Sequence, residues 1–332
     1  MNLKTDYLGF ELEHPFMAGA SPMCDNLDTV KALEDAGTSA IVMHSLFEEE
    51  IICEELATNA ATDHSTNSFA EALSYFPEPD NIVYGVEEYL NQLRRIKEAV
   101  SVPVIGSLNS FTEARWVDYA QQIQEAGADA LELNAYLLAT DPSISGADLE
   151  ARTLQMVRQV RKSVRIPVAV KLSPYYTSLA NFACQLDEAG ANGLVLFNRF
   201  YEPDLDVHEL EVKPELKLSE QTELLARLRW LAILSPRVKA SRAVTGGVHN
   251  ALGAIKAIMA GAHAVQLVST LFKNGPSNLA TIRNEVAQWL EARNYESLKQ
   301  LRGSMNLENA PNPDAYTKAN YLQILNIWKN NC

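Results

Sequence analysis

The sequence predicts a closed (β/α)8 barrel, and three observations carry that expectation. A helix ending at Ala-Gly, with an apolar strand a few residues on, recurs in EDAGTSAIVMHS (34–45), QEAGADALELNA (124–135), DEAGANGLVLFN (187–198) and IMAGAHAVQLVS (258–269). Glycine there suits the left-handed cap of a helix because it has no Cβ to clash, and the neighbouring alanine lets helix and sheet pack closely. The strand candidates are apolar throughout rather than alternating, which implies burial on both faces and a parallel sheet. There are eight of them, which favours a closed barrel over an open doubly wound sheet.

In chain order the strands are expected at 16–20, 40–45, 103–108, 130–134, 168–172, 193–197, 240–245 and 264–268. Two of them follow helices that end near proline, in AVSVPVIGSLN (99–109) and SVRIPVAVKLSP (163–174). Between strands lie segments such as LDTVKALEDAG (27–37), VEEYLNQLRRIKEAV (86–100), TEARWVDYAQQIQEAG (112–127) and LANFACQLDEAG (179–190). Their apolar residues recur every three or four positions, the mark of one buried helical face. No GxGxxG follows the first strand, so a dinucleotide-binding unit has no support. Excursions at 46–85, 136–147 and 199–218 each follow a strand and so belong to the C-terminal face, where barrels build their sites. The tail 296–332 reads as helices outside the barrel that either close its end or form a subunit contact, a homodimer being one arrangement it allows. The expectation is one domain over 1–332, with the barrel at about 14–293.

Composition narrows the function. With 28 Lys+Arg against 42 Asp+Glu, the net charge of −14 repels phosphate backbones and anionic membrane surfaces, so neither nucleic acid nor a membrane is an expected partner. A small anionic ligand stays compatible, since a few local cations and N–H groups dominate inside a closed site. Cysteines at 24, 53, 184 and 332 show no CxxC or CxxH spacing, which argues against a disulfide framework or a zinc site; Cys24 and Cys53 read as inert thiols. The N-terminus MNLKTDYLGFELEHPFMAG has no basic stretch leading into an apolar one, and no window approaches 18 uninterrupted apolar residues. The expected location is the cytoplasm.

In a barrel, catalytic groups are the polar residues at the C-terminal ends of apolar strands. Here these are His44 and Ser45, Ser107 and Asn109, Asn134, Lys171 and Ser173, Asn198 and Arg199, Thr245, and Ser269. Any single Ser or Asn among them serves equally well as a helix cap or loop tie. Lys171, in VAVKLSP, is the sharpest member, because lysine is almost never buried unpaired. It could form a Schiff base or hold charge on an anionic cofactor. VTGGV (244–248) and AVQLVSTLFKNGP (264–276) end the last two strands, where barrels commonly bind phosphate, of a substrate or of a flavin.

Together, HPFMAGAS (14–21), ALELNA (130–135), IPVAVKLSP (166–174), VTGGV and AVQLVSTLFKNGP resemble segments of the dihydroorotate dehydrogenases, FMN-dependent barrels of pyrimidine biosynthesis, in the same order from about residue 3 to about 305. The chain resembles the soluble branch, which lacks a membrane-docking N-terminal helix. The resemblance implies that Ala18, Gly19 and Ala20 lie along the flavin ring, and that Ser107, Asn134 and Asn198 face flavin or substrate. It implies Lys171 beside the flavin N1/O2 edge, where positive charge stabilises anionic reduced flavin. Gly246, Gly247, Val268 and Ser269 would hold the FMN phosphate, and His44 matches a second lysine of the family.

One departure bears on catalysis. The family carries a Cys or Ser general base shortly after the Asn matching Asn134, but here the segment is NAYLLATDPSISG (134–146), which puts Leu137 in that place. A shifted gap brings Asp141-Pro142 there, and Tyr136 is the other ionisable group nearby. The resulting expectation is an FMN-dependent oxidoreductase oxidising dihydroorotate to orotate, with Lys171, Asn134, Asp141 and Tyr136 as the catalytic set, no metal, and an unknown electron acceptor. The alternatives are an FMN oxidoreductase with another substrate, a non-redox aldolase- or isomerase-type barrel using Lys171, and a flavin-binding partner subunit without turnover.

Overall fold

The computed structural model describes residues 1–48, 85–109, 113–135, 138–199, 202–213, 216–318 and 326–327. Eight parallel strands close into a barrel: β1 Phe16–Ala18, β2 Ile41–Phe47, β3 Val104–Asn109, β4 Ala130–Ala135, β5 Val168–Leu172, β6 Gly193–Leu196, β7 Ser241–Thr245 and β8 Ala264–Leu267. β8 pairs with β1 and β7 with β6, so the barrel itself has no edge strand. Each expected strand is present within a few residues of its expected ends. The expected helices are Leu27–Asp35, Val86–Ala99, Glu113–Glu125 and Leu179–Glu188, joined by Gly146–Ser163, Leu224–Leu234, Ala251–Ala260 and Asn278–Ala292.

Strand side chains alternate between two cores because successive residues point to opposite faces. Phe16, Ile41, Val104, Leu131, Leu133, Val170, Leu194, Val244 and Val265 face outward into the helix shell. Met17, Val42, Ile105, Ala130, Ala169, Val195, Ala243 and Ala264 form a separate cluster in the lumen. Four of these eight are alanine, which leaves room for something else to fill the lumen. The hairpin Thr5–Tyr7 with Phe10–Leu12 drives Tyr7 and Leu8 into the N-terminal end of the barrel. Leu8 turns there with φ +53°, and a Cβ on Gly193 would lie 2.5 Å from its Cδ2, so glycine at 193 is the space that the plug occupies.

The tail carries short helices joined by irregular chain. Its described residues are helical at Leu298–Leu301, Asp314–Thr317 and 326–327, and the rest of YLQILNIW lies outside the described residues. The segment between is irregular because its backbone caps other helices: Gly303, Met305 and Leu307 N–H donate to Ile258, Met259 and Ala232 carbonyls. No helix among the described residues is long and apolar enough to cross a membrane.

Candidate active site

Continuing the lumen parity toward the C-terminal end replaces alanine with polar groups. On β4, Ala130 is followed on the same face by Glu132 and Asn134; on β5, Ala169 is followed by Lys171; on β8, Ala264 by Gln266. All four polar residues are buried, Glu132 fully and Lys171 to 7% exposure. Lys171 Nζ lies 3.2 Å from Glu132 Oε1, an ion pair by distance but off the hydrogen-bonding direction. The other carboxylate oxygen accepts from Gln266 Nε2 at 2.6 Å. A buried carboxylate survives only with such partners. Below it sits the Tyr7 hydroxyl, whose pKa is raised well above its ordinary value by burial and by the Glu132 charge.

A second cluster adjoins through strand register, with Asn134 opposite Lys171 and Ser107 opposite Glu132. Asn134 Nδ2 donates to Ser45 Oγ at 2.5 Å and to Ser107 Oγ at 3.1 Å, and the two hydroxyls lie 2.9 Å apart. Tyr89, from the helix Val86–Ala99, supports them from behind: its hydroxyl accepts from Ser107 N–H at 2.8 Å and donates to Ser107 O at 3.1 Å. Burial raises the Tyr89 hydroxyl pKa, so it stays a neutral strut. The amide oxygens of Asn134, Asn109 and Gln266 are buried and without a protein partner among the described residues. Buried acceptors left open in this way call for a donor from a ligand or water.

The paired glycines close the third part. Gly246 and Gly247 have φ of +79° and +81°, and their missing Cβ atoms leave room for Arg227 Nη2 at 2.8 Å and Leu224 N at 2.6 Å. Arg227 is buried and donates to the carbonyls of Thr245 and Glu223. Ser219 Oγ accepts from Gly247 N–H at 3.2 Å and lies 2.9 Å from Ser269 Oγ. The result is a cluster of hydroxyls and amides beside a buried guanidinium, donor chemistry that suits a phosphate.

Among the expected residues, His44 and Ala18 face away from the lumen. A β-bulge between Val42 and Ser45 sends Ser45 into the lumen and His44 toward the helix shell. There His44 Nδ1 lies 2.7 Å from Asp25 Oδ1 and its ring packs edge-on to Tyr89, with burial holding its pKa below the ordinary value despite Asp25. Ala18 faces the outer core, and Gly19 is required by Val268 Cγ2, 2.7 Å from its would-be Cβ; only Ala20 packs against the inner cluster. Asn198 is half-buried at the end of β6, its Oδ1 accepting from Arg199 N–H.

Asp141 does not reach the lumen: it is exposed and accepts from Ser143 N–H and Oγ, bonds that hold its carboxyl below the usual range. It is the turn-forming aspartate that Asp-Pro often makes, and this position gives the expected role as a base no support. Tyr136, Leu137 and Cys53 lie outside the described residues. Cys24 is buried, its thiol pushed up to about 12 by desolvation, as an inert thiol should be.

Glu132, Gln266, Tyr89, Ser219 and Arg227 were not singled out from the sequence. Glu132 and Gln266 carried a signal: each is a polar residue inside an apolar strand, in ALELNA and AVQLV, on the parity that faces the lumen.

Comparison with known proteins agrees with this geometry. A family model described as dihydroorotate dehydrogenase matches residues 82–290. A protein of Aeropyrum pernix, by name a dihydroorotate dehydrogenase A (fumarate), is 31% identical over 229 residues, 66% of this chain and 72% of its own. Two others carry the name dihydroorotate dehydrogenase B (NAD(+)), catalytic subunit. The Thermoplasma volcanium protein is 25% identical over 91% of this chain and 98% of its own, and that of Methanocaldococcus jannaschii is 24% identical over 91% and 97%.

Proposed function

This chain belongs to the dihydroorotate dehydrogenase family and is an oxidoreductase of that type, and from that premise we propose that it binds FMN in the lumen mouth and oxidises dihydroorotate to orotate. The observation that carries the reading is the pairing of two unlike groups at one barrel end: a buried cation among open amide acceptors, and a glycine-and-hydroxyl cluster beside a guanidinium. A flavin mononucleotide needs both, the first for its heteroaromatic ring edge and the second for its phosphate. The groups therefore fit: Asn134, Lys171 and Gln266 would meet the ring, and Gly246, Gly247, Ser219 and Ser269 the phosphate.

FMN, when bound, supplies a two-electron acceptor that no side chain can replace. The chain's own contribution is binding and charge. Lys171 offers positive charge where electrons arrive, and Asn134, held by Ser45 and Ser107, offers an amide of fixed orientation for hydrogen bonding to substrate or ring. With Asp141 tied into its turn, Tyr136 is the remaining ionisable group of that loop proposed as proton acceptor. Names of relatives that match over nearly their full length, as catalytic subunits, support a further subunit that passes electrons on. The Schiff-base alternative is disfavoured, since it needs a free amine and Nζ here is engaged by a carboxylate.

The test is anaerobic single-turnover mixing of the yellow, FMN-loaded protein with dihydroorotate. Bleaching of the ~450 nm flavin band supports the reading; a flavin that bleaches no faster with dihydroorotate than without it refutes the substrate, and a protein that takes up no FMN refutes the cofactor. Ser269→Glu, which sets a charge against the phosphate, should abolish FMN retention.

A further inference from the structure

Lys171 is not a lone cation. Its nearest charge is Glu132, two positions before Asn134 on the neighbouring strand and fully buried, with no solvent to screen it. Gln266, from the opposite side of the lumen, holds the second carboxylate oxygen and so fixes where the negative charge sits. The described ionisable group beneath the pair is Tyr7, which burial and the Glu132 charge keep neutral. Ser45, Ser107 and Asn134 above it carry no charge.

We infer that Glu132 is a positioning and charge-balancing residue: it anchors Lys171 Nζ at the strand ends and cancels most of its field, so that the lumen offers a bound flavin a fixed cation within a nearly neutral pair. This rests on the FMN reading above. At low dielectric both charges act at full strength on anything a few ångströms away. Removing one member should therefore move the balance between oxidised and anionic reduced flavin in opposite directions, depending on which member goes.

Three variants read this out: Glu132→Gln, Lys171→Met and the double variant. Each is loaded with FMN, and the dissociation constants of oxidised and reduced FMN are compared. Glu132→Gln is expected to shift the ratio at least tenfold in favour of reduced FMN, Lys171→Met at least tenfold against it, and the double variant is expected to lie near the wild type. An unchanged ratio in Glu132→Gln would overturn the inference. So would a shift in the same direction as Lys171→Met, since Glu132 would then act only by sustaining the lysine.

A second measurement needs no cofactor. In urea unfolding of FMN-free protein, each single variant should lower the folding equilibrium constant at least a hundredfold, and the double variant should lose much less than the product of the two. Additive losses would mean that the residues are not paired, and would sink the inference. If the unfolding cycle shows coupling while the wild type takes up no FMN, the cofactor reading fails and the pair stands.

Discussion

Along β4 the lumen side runs Ala130, Glu132, Asn134, and along β8 it runs Ala264, Gln266. The same strands thus build an apolar floor, sealed by Tyr7 and Leu8, and a polar mouth less than three residues further on. The floor makes a ring of apolar side chains, half of them alanine, and receives a plug; the mouth makes a ring of hydrogen-bonding side chains and leaves acceptors open. The contrast teaches where stability is generated and where it is given up: closed apolar packing below stabilises, while buried charge above costs free energy that only function explains.

The largest expected effect breaks the floor. Tyr7→Ala removes a fully buried aromatic and should cost about 3–5 kcal/mol of unfolding free energy. Tyr7→Phe should cost nothing or stabilise slightly, because the lost hydroxyl has no protein partner among the described residues. Urea denaturation measures both, and a costly Tyr7→Phe would mean the hydroxyl is satisfied after all.

Acid should also weaken the floor. His14 and His263 precede β1 and β8, and burial lowers their pKa values to about 4 and about 3. Nδ1 of His14 accepts from Phe16 N–H and its Nε2 lies 2.7 Å from Gly37 O, so both nitrogens are used by the neutral ring. With the folded pKa below the unfolded ~6.5, the unfolded chain binds more protons, so this stability is present above pH ~6.5 and is lost as pH falls toward 4. The expected slope is about 1.4 kcal/mol per pH unit for each histidine. His14→Gln should flatten the profile of unfolding free energy against pH, and an unchanged slope would show that other groups dominate.

Smaller effects sharpen the mouth. Gln266→Ala strips a donor from the buried Glu132 carboxylate and should cost about 1–3 kcal/mol. Asp141→Asn, on an exposed turn, should change stability by less than about 0.5 kcal/mol and leave the rate of flavin reduction unaltered. A marked slowing would place this loop over the mouth during turnover and restore Asp141 as a candidate base.

The floor-to-mouth division also explains what the sequence made legible. The eight strands and their order could be read because burial on both faces writes itself as continuous apolar runs, with Ala-Gly helix ends as punctuation. Lys171, Asn134 and Ser107 could be read because a polar residue at the end of such a run is conspicuous. The side of the barrel to which His44 points was not legible: a one-residue bulge after Val42 reverses the parity, and nothing in IVMHSLF marks it. Nor was the role of Gly246, whose vacancy is filled by Arg227 from a helix nearly twenty residues earlier in the chain. Long-range partners of this kind are fixed by packing, and local pattern carries no trace of them.

The plugged floor has a consequence for traffic. A lumen stopped at one end by Tyr7 and Leu8 is a blind well, so every occupant enters and leaves over the same rim. Occupants must then queue: whatever lies deepest arrived first and departs last. A ring seated against Lys171 would be imprisoned by the molecule above it, and a tight-binding substrate mimic should slow cofactor escape without touching the cofactor's own contacts.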